Sequence, residues 1–184
     1  MIEAGPVRDE RELEAILALQ RQNLARNLTP ELVAAQGFVT VEHSLEVLQR
    51  MHALTPSIVA RESGALAGYA LVMPVECRSF IPVLEPMFQR LEALGLFREQ
   101  FYVMGQICVA PGWRGRGVFD LLYRAHRRHL RGSYQSTVTE VAIRNTRSMR
   151  AHERVGFKVI DRYSDATDDW AVIRWDWSDP AQSG

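Results

Sequence analysis

The stretch Gln106-Ile107-Cys108-Val109-Ala110-Pro111-Gly112-Trp113-Arg114-Gly115-Arg116-Gly117-Val118-Phe119 decides how this 184-residue chain is read. Ile107, Cys108 and Val109 close an apolar run that begins at Phe101 and reads as a strand. Ala110-Pro111-Gly112 ends it, because proline brings no N–H to a ladder and glycine admits a turn. Arg114-Gly115-Arg116-Gly117 then leads into Val118, Leu121, Leu122 and Ala125, whose i, i+3, i+4, i+7 spacing predicts a helix packed on one face. A strand, a glycine-arginine loop and a helix start, in that order, suit a pyrophosphate. The glycines let backbone N–H groups approach without a Cβ in the way, the helix start adds the positive end of its dipole, and Arg114 and Arg116 add charge. The loop is not GxxxxGK[ST], and it lacks the third glycine and later acid of a dinucleotide fingerprint. Taken alone, it also fits a surface turn with solvated arginines.

Downstream, 137–143 reads as a strand, Asn145 caps a helix that Gly156 closes, and two strands finish the chain at 158–163 and 170–177. Upstream, a helix is expected over 9–22, another from Thr29-Pro30-Glu31, and a third over 43–52. The apolar runs 57–61 and 66–73, parted by Glu62-Ser63-Gly64, predict a hairpin. Over 80–100, Val83, Leu84, Met87, Leu91 and Leu94 recur at helical spacing and predict an amphipathic helix, whose apolar stripe needs a cover beside an acceptor site or between two copies of the chain. The order is mixed α/β, with a β-loop-α-β-α-β core in the second half. One domain over 1–177 and a flexible tail over 178–184 are expected.

A second motif changes the weight of the first. Asn145-Thr146-Arg147-Ser148-Met149-Arg150-Ala151-His152-Glu153-Arg154-Val155-Gly156-Phe157 resembles motif B of the GNAT family of N-acetyltransferases, and 106–119 resembles its motif A, Arg/Gln-x-x-Gly-x-Gly/Ala. Arg114 and Gly117 match motif A, and Asn145, Glu153, Gly156 and Phe157 match motif B. Phe119 stands where the family has Gly or Ala, Ser148 where it has Ala, and His152 where it has Tyr. The resemblance implies a central mixed, mostly antiparallel sheet flanked by helices, with the fourth and fifth strands splayed. It implies acetyl-CoA as cosubstrate, with no metal. Its pantetheine arm would pair with the free strand edge at Ile107, Cys108 and Val109, where a backbone N–H would also polarise the thioester carbonyl. Its phosphates would lie on Arg114, Gly115, Arg116, Gly117, Val118 and Phe119, with Asn145 and Ser148 completing the binding set.

Acetyl transfer to an amine wants a base for the amine proton and an acid for the departing thiolate. Glu140 alternates onto one face of the fifth strand with Val138 and Ala142, and a carboxylate on a half-apolar face has a raised pKa. Some family members carry a Glu base five residues before the motif-B Asn, where Glu140 stands, and a Tyr acid twelve residues beyond the base, where His152 stands. Glu140 and His152 are therefore the candidate catalytic pair. A salt-bridged Glu140 and a packed helix His152 are the structural alternatives. Cys108, inside an apolar strand with no base partner in the sequence, reads as inert. The acids Asp165, Asp168 and Asp169 read as a solvated turn.

Composition excludes other classes. Two cysteines make no disulfide framework, no Cys/His cluster has zinc spacing, and no basic start with an apolar run marks a signal peptide. A cytoplasmic enzyme is expected. Formal net charge is +0, so neither nucleic acid nor membrane is an expected partner, although 110–139 holds six arginines and a single acid, Asp120. The expected partner is a small-molecule amine or a peptide N-terminus, with a homodimer through the 80–100 segment as a further option. Two other functions fit the residues: an acetyl-CoA-binding module without catalysis, and a nucleic-acid binder using the arginines of 118–131.

Overall fold

The computed structural model describes residues 1–36 and 38–178. Of the expected tail, only Ser178 is described. It donates from N and Oγ to Asp176 Oδ1 at 2.9 and 2.6 Å, and 179–184 lie outside the described residues. The strands are β1 (Glu3–Pro6), β2 (Ile58–Glu62), β3 (Ala65–Met73), β4 (Phe101–Val109), β5 (Ser136–Ala142), β6 (Lys158–Ser164) and β7 (Asp169–Asp176). The helices are α1 (Glu10–Asn23), α2 (Pro30–Gln36), α3 (Leu45–Leu54), α4 (Glu85–Ala93), α5 (Val118–Leu130) and α6 (Thr146–Val155).

One seven-stranded sheet runs β1-β2-β3-β4-β5-β7-β6, and only β4 and β5 are parallel. A first core lies on the face covered by α1, α3 and α4 and includes Ile16, Leu48, Met87, Leu91, Tyr69 and Val138. A second lies under α5 and α6 and includes Leu122, Tyr123, Val141, Phe157 and Trp175. The alternation along β5 divides as expected: Val138 enters the first core and Val141 the second. Strand β1 was not apparent from its four residues. It is made by tertiary partners, pairing with β2 while Arg128 of α5 donates to Ala4 O at 2.8 Å.

The feature that makes the site is in β4. It pairs with β5 only at Phe101, Tyr102 and Val103, and beyond Val103 the two strands part. A bulge accompanies the parting. Ala70 faces Ile107 and Val72 faces Met104, so Leu71 stands opposite both Gly105 and Gln106. An extra residue bends a strand and increases its twist. At Gly105 an added Cβ would lie 1.8 Å from Met73 Sδ, so glycine there leaves room for the buried Met73 side chain. Gln106 is buried but satisfied: it accepts from Tyr69 Oη (2.5 Å) and Gln20 Nε2 (3.1 Å) and donates to Val41 O (2.8 Å). That network fixes α1 and the segment after residue 38 over the bulge.

The 80–100 segment departs from the expected single helix. It is a series of 3₁₀ turns around α4, stopped by Gly95 at φ 78°. Pro82 and Pro86 fit only first turns, so the helix cannot run through them. Leu84, Met87, Phe88 and Leu91 are buried in the first core, whereas Val83 (62% exposed) and Leu94 (44%) lie outside it. The stripe is thus covered by the chain's own sheet. Arg90 ties α4 to β6 through Asp161 at 2.7 Å. Among the described residues, no helix is long and apolar enough to cross a membrane.

Candidate active site

The opening between β4 and β5 is a cleft of about 770 Å³. Ile107, Cys108 and Val109 form its strand wall, with no β5 partner along them. Gly115 and Gly117 form its loop, at φ 75° and 74°. A Cβ at either would meet nothing within 4 Å, so these positions call for glycine through backbone conformation and not through space. Gly117 starts α5, and Asn145 starts α6 by accepting from Ser148 N at 3.2 Å. Two helix N-termini and the side chains of Arg147, Arg150 and Arg154 therefore line one cleft. Free strand amides, two αL glycines and convergent cations fit an amide-bearing, polyphosphorylated ligand.

The sequence-predicted residues do not all enter the cleft. Ile107, Cys108, Val109, Arg114, Gly115, Gly117, Val118, Phe119, Asn145 and Ser148 line it. Arg116 does not. Its guanidinium donates to Glu62 Oε1 at 2.9 Å, and Trp113 Nε1 donates to Glu62 Oε2 at 2.9 Å. Those two bonds hold the Glu62 carboxyl below its ordinary range and brace the loop against the β2–β3 hairpin. Arg114 reaches inward to Asn23 Oδ1 (2.6 Å) and Val109 O (3.2 Å), locking α1 to the end of β4. Phe119 packs edge-on to Tyr123 (5.1 Å) and His152 (5.1 Å), so its ring forms part of the cleft floor. Cys108 is 7% exposed and burial pushes its thiol up to about 12, which keeps it protonated and inert.

Glu140 sits two residues beyond the last β4–β5 pair, on the first-core face, and does not itself line the cleft. Burial is the largest influence on it and, with Asp165 nearby, raises its carboxyl to about 7; the Tyr163 hydroxyl, which donates to Glu140 Oε2, opposes the shift. It forms no salt bridge among the described residues. Tyr163 was missed in the sequence, since nothing local connects position 163 on β6 to position 140. The neighbouring turn is mostly exposed, with internal bonds that the sequence did not suggest. Asp168 pairs with Arg144 at 2.6 Å, Asp165 accepts from Thr167 and Asp168 within the turn, and Asp169 accepts from Ser164. Arg144 in turn lies 4.6 Å from the centroid of Phe38, which lines the cleft. The turn is therefore exposed, as expected, at Asp165 and Asp169, while Asp168 is half-buried against Arg144.

His152 needs the main revision. It is 1% exposed, boxed edge-on by Phe119, Tyr123 and Phe157, and does not line the cleft. Burial lowers it to about 4, so it is neutral at pH 7. Its Nδ1 lies 2.8 Å from the Ser148 carbonyl, which can only accept, so the proton is on Nδ1 and Nε2 carries a bare lone pair. Nε2 is buried without a partner. As placed, His152 has no proton to give to a leaving group, and it supports the Phe119 ring.

A family model described as the acetyltransferase (GNAT) family matches residues 20–157. Among curated proteins none matches the sequence. Solved structures share the fold at low identity. The ribosomal-protein-S18-alanine N-acetyltransferase of Escherichia coli is 14% identical with a TM-score of 0.67, over 100% of this chain and 99% of that one. YncA of Salmonella typhimurium, a putative acetyltransferase solved with its cofactor acetyl-CoA, is 18% identical with a TM-score of 0.65, over 97% and 95%. An N-acetyltransferase from Staphylococcus aureus Mu50 is 21% identical with a TM-score of 0.62, over 96% and 99%. With three quarters of its length matched by the family model and a bulged fourth strand parting from the fifth, the chain belongs to the GNAT acetyltransferase family.

Proposed function

We propose that this protein transfers the acetyl group of acetyl-CoA to a primary amine by direct attack, with no acetyl-enzyme. The observation that carries the reading is the unpaired edge of β4 beside two helix N-termini; Glu140, its carboxyl raised to about 7, stands on β5 two residues past the last β4–β5 pair. When bound, acetyl-CoA supplies a thioester-activated acyl group. The free N–H and C=O groups of Ile107–Val109 hold the ligand's amides by strand addition, and a strand N–H stabilises charge on the acyl oxygen. The amides of Gly115–Phe119 and the α5 start hold phosphate, aided by Arg147 and Arg150. Glu140, directly or through a water, takes the amine proton onto its carboxylate, and its value near 7 leaves it about half ionised at neutral pH. Tyr163 orients that carboxylate. Cys108 stays protonated, so the acyl group has no thiolate on the chain to pass through.

Small amines and peptide N-termini are the acceptor classes proposed. The titrant that separates enzyme from passive binder is thiol release from acetyl-CoA with polyamines, aminoglycosides, amino acids and N-terminal peptides. Turnover with one class supports transfer. A protein stabilised by acetyl-CoA but releasing no thiol with any class would be a binding module.

A further inference from the structure

A larger cavity, about 1260 Å³, adjoins the cleft, sharing Asp120, Arg150 and Arg154 with it, and extends between α5, α6 and the edge strand β6. Eight cationic side chains and two carboxylates line it, a local excess in a chain whose formal net charge is +0. One wall is the α5 stripe Arg124, Arg127, Arg128 and Arg131, at i, i+3, i+4 and i+7, so the charges run along ~10 Å of helix. The other wall carries Arg150 of α6 with Lys158 and Arg162 of β6. Of the two acids, Asp120 is taken by Arg154 at 2.8 Å. Arg124, Arg131, Arg150 and Arg162 are exposed and make no ion pair among the described residues. Like charges gathered this way repel one another and disfavour the fold unless an anion shares the groove.

We propose that this groove is a second binding site, for the phosphodiester backbone of a nucleic acid. Three features select that partner. Cations on two facing walls of a concavity suit a ligand charged all round, which a flat bilayer surface is not. Lys158 and Arg162 on the edge strand oppose addition of a peptide strand, so an acidic protein has no main-chain purchase there. The floor rings Tyr123, Phe157 and Trp175 are buried at 0%, 5% and 6%, so no ring face is open there for bases to stack on. Recognition rests on guanidinium forks and phosphate oxygens, and is indifferent to base sequence. The neutral total charge argues against nucleic acid as an expected partner, whereas the arginine excess of 118–131 already allows it as an alternative.

The test is fluorescence anisotropy with a labelled uridine oligonucleotide of about 20 nucleotides at about 50 mM salt, repeated as salt is raised. The proposal expects micromolar binding whose log affinity falls against log salt by about 0.7 per phosphate neutralised. The triple variant Arg124→Gln/Arg131→Gln/Arg162→Gln touches none of the cleft residues. It should weaken binding at least ~10-fold and flatten the salt slope by about 2, with acetyl-CoA binding and melting temperature unchanged. Four results would overturn the proposal: no binding at low salt, equal binding by the triple variant, displacement by excess acetyl-CoA, or tighter binding of an oligoglutamate of equal charge. The third result would move the site to the cleft, and the fourth would make the groove a protein-binding surface.

Discussion

On the α5 side of the β4–β5 opening, the groups proposed to face the cosubstrate are main-chain amides and helix starts held in place by Gly115 and Gly117. On the Glu140 side the groups proposed to serve the acceptor are side chains drawn from distant segments: Glu140 from β5 with Tyr163 from β6, and Phe38 from the segment after α2 beside Arg144, which pairs with Asp168 of the β6–β7 turn. The first side depends on backbone conformation and tolerates exchange of most side chains. The second depends on individual side chains and would change its acceptor with a few substitutions. Within one fold, the cosubstrate end is generic and the acceptor end particular.

The largest effect should come from the acceptor side. Glu140→Gln keeps the shape and the Tyr163 contact but removes proton acceptance. It should lower kcat about 10²–10⁴-fold in a steady-state assay, with acetyl-CoA affinity by calorimetry unchanged. On the cosubstrate side the expected damage is to binding. Gly117→Val forces a β-branched residue to φ 74°, at a cost of about 1–2 kcal/mol, so the loop should relax and acetyl-CoA should bind roughly tenfold more weakly. Calorimetry on the folded variant reads it, and wild-type affinity would place the phosphates elsewhere.

A smaller change separates positioning from proton transfer. The Tyr163 hydroxyl stabilises ionised Glu140, so Tyr163→Phe should raise the carboxyl further and move the acidic limb of kcat/KM upward by about one pH unit, while kcat at high pH is retained. Loss of activity at all pH values would mean that Tyr163 does more than orient the base. The least effect is expected at His152. His152→Phe replaces a neutral buried ring by another in the same aromatic box, and kcat should stay within about threefold. A large loss, rescued by His152→Tyr, would restore an acid role.

The same division governs what the sequence could tell. Ile107–Val109, Gly115, Gly117 and Asn145 were legible because strand end, turn, glycine and cap are local signals, and local signals specify backbone sites. Glu140 was singled out by strand alternation and, through the family resemblance, by its distance from Asn145, and the structure adds the burial that raises its carboxyl. Its partner was not legible, because the β5-β7-β6 order that brings Tyr163 to it has no local signature. His152 was placed correctly on α6, but burial and tautomer depend on the packing of Phe119, Tyr123 and Phe157 around it. The 80–100 stripe failed for a different reason. Periodicity was followed through Pro82, Pro86 and Gly95, which break the helix that the apolar spacing suggests.

Glu140 is proposed as the base serving an acetyl-CoA cleft that opens where the bulged β4 parts from β5. The most direct measurement is the pH dependence of kcat/KM for wild type and Glu140→Gln, using the acceptor amine that turns over fastest. A carboxylate base works ionised, so the wild-type rate should climb as pH rises through about 7 and level off above it. In Glu140→Gln that limb should be gone and the remaining slow rate should follow only the acceptor amine's own ionisation. An active Glu140→Gln enzyme that keeps the limb near pH 7 would contradict the claim.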